Sequence, residues 1–166
     1  MTHSWTEVQA LGVKAASGAG VPPAQALAFG AMVARHLADG GAETPIAAAL
    51  RAPDSIVALA LRVEKVIEGA SMNASAVTVR EADAGARALL FSWLSGLPCQ
   101  TALTLADDTI IASLNLAAPS DRSRPDRVPL GPELQEQMQE LAAKTYVPDS
   151  DASRSAGAGA GLMDLD

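Results

Sequence analysis

The sequence predicts an α+β fold: an N-terminal helical layer over residues 1–70, an antiparallel meander sheet over 75–117, a late helix over 131–144 and a Gly/Ser-rich tail over 148–166. Three observations carry this reading. Large apolar side chains recur every three or four residues up to Ile67, then every second residue between Val77 and Leu116, and again at helical spacing from Leu134 to Leu141. Helices, then strands, then a helix is the order of an α+β domain, here residues 1–147.

Ser4-Trp5-Thr6-Glu7 has the spacing of a capping box, in which hydroxyl and carboxylate each satisfy an orphan backbone N–H. Val8, Leu11 and Ala15 continue that helix, and Gly18-Ala19-Gly20 ends it. Pro22-Pro23 opens a second helix, because the fixed φ of proline suits a first turn. It carries Leu27, Phe29, Met32, Val33 and Leu37 and stops at Gly40-Gly41. Thr44-Pro45 reads as an N-cap and first-turn proline of a short helix to Leu50. After Pro53-Asp54, the stripe Ile56, Leu59, Val63, Val66 and Ile67 defines a fourth.

Val77 and Val79 alternate with Thr78 and Arg80, and Leu103 and Leu105 with Thr104. Ile110, Ala112, Leu114 and Leu116 form the cleanest run of period two. Leu89, Phe91 and Trp93 fall on one face if extended, which suggests a further strand broken from the next by Gly96-Leu97-Pro98. Asp107-Asp108 is placed to be a two-residue hairpin loop, though Asp-Gly suits such a loop better. The stretch 119–127, with Arg122, Arg124 and Arg127 among aspartates and serines, reads as a solvated loop. Pro132 then opens a helix whose Glu133 and Glu136 complement the dipole.

Composition narrows the function. The chain is 166 residues long with 49% hydrophobic, 19% charged and 3% aromatic residues, a net charge of −7 and a mean hydropathy of +0.17. That apolar fraction argues for a folded core, and the acidic balance argues against a nucleic-acid surface. A single cysteine makes no internal disulfide, no stretch reaches the ~18 uninterrupted apolar residues of a membrane span, and Met1 to Trp5 lack the basic start of a secretory signal. A soluble cytoplasmic protein is expected. Its alanine-rich helices supply little apolar area each, so burial against a second copy, a homodimer, is expected as well.

No familiar catalytic pattern emerges. His3 and His36 have no metal-ligand spacing with each other or with Cys99, and neither a metal nor a cofactor is expected. A Cys99–His36 dyad is weaker than the reading of Cys99 as a small buried hydrophobe. Arg122, Arg124 and Arg127 have the chemistry to grip a phosphate or carboxylate, although the intervening aspartates favour a solvated loop. Trp5 and Trp93 read as anchors of core or interface rather than ligand platforms. Gly157, Gly159 and Gly161 free the backbone to approach an anion, yet too few residues follow to build the helix that phosphate-binding loops need.

The opening, Glu7 to Leu11 through Ala15 to Gly20, and the close, Lys144 to Pro148 with Ser150, Ser153, Arg154 and Gly157 to Gly161, together resemble a family of small bacterial proteins classed only as a domain of unknown function. The resemblance implies an architecture and no reaction. It also implies that Tyr146, Ser150, Ser153, Arg154, Gly157, Gly159 and Gly161 dock on the domain, a partner subunit or a ligand. The expected function is therefore a binding or accessory protein, homo-oligomeric, whose tail meets a protein partner. The alternative is a small enzyme or metabolite-binding subunit for an anionic metabolite, with Tyr146 as acid/base, Arg154 as clamp and glycine N–H groups as oxyanion donors.

Overall fold

A computed structural model describes residues 2–72 and 74–145 and shows the expected α+β architecture. Four helices come first: α1 (Trp5–Gly18), α2 (Pro23–Ala38), α3 (Glu43–Arg51) and α4 (Pro53–Ser71). The Ser4–Glu7 box closes as expected, with the Glu7 N–H donating to Ser4 Oγ at 3.2 Å and the Ser4 N–H donating to Glu7 Oε2 at 2.7 Å. Thr44 does not cap α3. The helix starts two residues earlier, at Glu43 with Ala42 as N-cap, and the carboxylate of Glu43 instead accepts the Gly131 N–H at 2.5 Å, tying α3 to the start of the last helix.

Helix α2 is the centre of the molecule. Every residue from Met32 to Leu37 is buried, the signature of a helix packed on all sides. α1 crosses it where Gly12 meets Gly30, and Phe29 meets Trp93 edge-on at 6.3 Å between ring centroids.

The sheet departs from a meander. β2 (Val77–Arg80), β3 (Cys99–Ala106) and β4 (Thr109–Pro119) are antiparallel in the order β2-β4-β3, so the longest strand is central. Ile110 and Ala112 of β4 are buried, opposite Val79 and Leu103. The connection from β2 to β3 is a helix, α5 (Ala84–Ser95), within the segment expected to be all sheet. Leu89 and Trp93 are still on one buried face, but as neighbours one helical turn apart. Over a short apolar run the two periods coincide, and the local signals decide: Asp83 accepts the Ala86 N–H at 2.7 Å as an N-cap, Ala84, Ala86 and Ala88 recur in the first turns, and Gly96 ends it.

Two three-residue strands, β1 (Thr2–Ser4) and β5 (Arg127–Pro129), pair antiparallel ahead of α1 and α6 (Pro132–Ala143), a ribbon too short to leave a periodic signal. No helix among the described residues is long and apolar enough to cross a membrane.

Candidate anion-binding site

Arg35 is the least expected residue of the core. It sits inside the buried run Met32 to Leu37, in the last turn of α2, and is only 6% exposed, although a guanidinium is costly to bury without partners. Partners come from the polar stretch after β4. One Nη of Arg35 donates to the Ser123 carbonyl at 2.9 Å, and the other meets Asp39 one turn along the helix at 3.1 Å. Its Nε is sealed from solvent and has no hydrogen-bond partner among the described residues.

The same loop brings two more guanidiniums to this end of α2. Arg122 straddles Asp39, with one nitrogen 3.1 Å from each carboxylate oxygen. Arg124 lies over the Trp5 indole at 5.6 Å from its centroid, and Arg35 lies over that ring at 5.0 Å. Trp5 is fixed from α1, its indole N–H donating to Gln9 at 3.0 Å. The stretch 119–127 is the exposed loop expected, with all but Ser120 and Pro125 exposed, and it is pinned by these arginine contacts. It is folded back across α2, and Trp5 is a platform for cations as well as an anchor. Arg127 goes elsewhere: it stands in β5 opposite Ser4, where its charge faces Glu7.

These side chains wall a cleft of about 670 Å³ between the start of α1, the α2 helix, the end of α5 and the loop. Arg35, Arg122 and Arg124 line it together with Trp5, Gln9 and Ser120, and among the described residues no carboxylate does. Asp39, behind the wall, offsets one of the three positive charges. Burial pushes the Arg35 guanidinium down from its usual range, Asp39 pulls it back up, and Arg122 and Arg124 press it down again. A guanidinium does not give up its proton in a protein, so Arg35 stays charged inside the wall. In a chain of net charge −7, this is a local cluster of three arginines.

A second recess of about 380 Å³, between α3, α4 and α5, is walled mainly by alanine, leucine and proline carbon. Its Arg62 and Glu81 are already bonded to each other, which leaves little to orient a ligand.

Of the residues singled out from the sequence, Arg122 and Arg124 are in the cleft and Arg127 is not. Arg35 was not singled out, although an arginine inside the apolar run Met32 to Leu37 was the available signal. Cys99 is buried, and both ring nitrogens of His36 are engaged by Ser92 and Ala42 rather than by a thiol. No group of three His, Cys, Asp or Glu side chains is placed to hold a metal among the described residues. Tyr146, Ser150, Ser153, Arg154, Gly157, Gly159 and Gly161 lie outside the described residues. Comparison with protein-family models, with curated proteins and with solved structures yields no significant match.

Proposed function

We propose that the protein is a small binding or accessory protein whose ligand is an anionic metabolite, a phosphate monoester or a dicarboxylate, held in the Arg35 cleft. The observation that carries this is Arg35 itself: a buried guanidinium whose Nε has no partner among the described residues, in a wall to which they contribute three arginines and no acid. A guanidinium fork pairs with a planar carboxylate or a phosphate face through two parallel N–H donors. After Asp39 offsets one charge, two positive charges remain, which favours a dianion over a monoanion. The indole beneath two of the cations keeps them oriented in the absence of ligand, so little ordering cost falls on binding.

Thermal shift and calorimetry with phosphate monoesters and dicarboxylates test this. A ligand at 100 times its Kd stabilises the folded state by about 2.7 kcal/mol. Arg35→Met should abolish the shift, and Arg35→Lys should not rescue it, because an ammonium has no fork. If every such anion gives no more than sodium chloride at equal ionic strength, the reading fails.

The homo-oligomer and the docking tail belong to the same proposal. In it Tyr146, Ser150, Ser153, Arg154 and the glycines of 157–161 make the contact with a protein partner, and deleting 148–166 should weaken partner capture. An unchanged pull-down would remove the tail from the proposal and leave the cleft standing.

A further inference from the structure

We infer that two copies of this chain join through the outer edge of β3, antiparallel across a two-fold axis, to make one continuous six-stranded sheet. This rests on the homo-oligomer reading above and supplies its surface; it is independent of the anion cleft.

The two edges of the sheet are built differently. β2 has four residues, carries Arg80 paired with Asp108 at 2.6 Å, and is followed directly by Glu81, which bonds Arg62 of α4. Short length and charge are the usual protections of an edge. β3 has none of them. Its eight residues, Cys99–Ala106, include no charged side chain and no proline, and its one irregularity is a register shift between Cys99 and Gln100 at the far end. Among the described residues no strand pairs with it on the side away from β4. At ~3.3 Å per residue, that leaves a row of about 26 Å with unpaired N–H and C=O groups.

A second copy is the occupant this edge suits. Each chain carries a net charge of −7, so two copies repel except where a strip is free of charge. β3 is such a strip, with Gln100, Ala102 and Thr104 exposed along it. Antiparallel self-pairing sets these small and uncharged residues opposite one another, with no like charges to oppose it. The operation closes on itself, leaving only the protected β2 edges at the ends of the new sheet. Exposed apolar carbon beside the strip, Leu105 at 55% and Ile111 at 38%, adds area that backbone pairing alone lacks.

Light scattering on the full-length protein over a wide concentration range tests this. The wild type should have twice the chain mass of 16.9 kDa. Ala102→Lys with Thr104→Lys sets like charges opposite each other and should weaken dimerisation at least about tenfold, while Thr104→Val keeps the dimer. Both lysines stand at exposed positions, so circular dichroism should be unchanged; if the variant misfolds, amide exchange on the wild type decides, with β3 protected at high concentration and exposed on dilution. A wild type that is monomeric throughout overturns both the surface and the oligomer. A dimer that ignores the lysines, with β3 unprotected, overturns the surface alone. A monomer that dimerises only when 148–166 are deleted assigns the edge to the tail and overturns the proposal for the intact chain.

Discussion

Ser92 Oγ lies 2.8 Å from His36 Nδ1, and both residues are sealed in the core at 7% and 3% exposure. The other ring nitrogen, Nε2, is 2.9 Å from the Ala42 carbonyl, which only accepts, so Nε2 bears the hydrogen and Nδ1 accepts from the serine hydroxyl. A hydroxyl beside an imidazole resembles a nucleophile and its base. Here it is a three-way tie, from α2 to α5 and to the turn before α3, with the ring packed on Gly41 and neither group open to a substrate.

That tie predicts unequal losses. Ser92→Ala leaves Nδ1 a buried acceptor without a donor and should cost about 1–3 kcal/mol. His36→Ala opens a cavity and orphans both the hydroxyl and the carbonyl, at about 2–4 kcal/mol. The double variant should cost less than the sum, because both changes remove one shared bond. Urea unfolding measures all three, and a neutral Ser92→Ala would show that the bond is not made.

Gly30→Ala should destabilise although alanine is the better helix former by about 1 kcal/mol. A Cβ on Gly30 would stand 2.6 Å from the Gln9 carbonyl oxygen and 2.8 Å from the Val13 nitrogen, both backbone atoms of α1 that cannot rotate away. Separating α1 from α2 forfeits packing along the whole crossing, for a net loss of about 1–3 kcal/mol. The loss should appear as a lower thermal midpoint, and an unchanged midpoint would mean that the two helices are not in contact there.

Asp107→Gly should do the reverse. Asp107 is at φ 51° in the two-residue loop between Ala106 and Thr109, in the left-handed region that costs a side chain and costs glycine nothing. Glycine also loses more entropy on folding, so the net gain should be about 0.5–1 kcal/mol. A fall in stability would point to a contact of the Asp107 carboxylate that outweighs the backbone relief.

The legible parts of this fold were those with local causes. The Ser4–Glu7 box, the Pro22-Pro23 start, the Asp107-Asp108 loop and the strand from Ile110 each announce themselves within a few residues and have their expected place, although the buried face of that strand ends before Leu116, which is exposed. Trp93 was misleading because a run of large apolar residues satisfies two periods at once, and only Asp83 and the alanines after it distinguish them. The anion cleft was half legible. Arg122 and Arg124 stand out as loop arginines, but their meaning depends on Arg35, which is 88 residues from Ser123 in the chain. No local rule brings such partners together; the packing of α2 against the returning loop does.

Acid should loosen the molecule first at two carboxylates. The Ser4 backbone N–H, then the Ser4 hydroxyl, hold Glu7 below its ordinary value of 4.5, and the Arg80 side chain holds Asp108 below 3.8. For a group whose folded value is depressed, the stabilisation is complete above the unfolded value and is lost as pH falls through the folded one. The thermal midpoint should therefore be insensitive to these groups near neutrality and should fall once pH drops below about 4.5. Glu7→Gln should lower the midpoint at neutral pH and flatten part of the acid decline, so that variant and wild type converge at the acid end. Salt separates the two sites, since the exposed Arg80–Asp108 pair is screened whereas the Glu7 bond to a neutral backbone N–H is much less so. A Glu7→Gln curve parallel to the wild type at every pH would mean that the capping box does not titrate with folding.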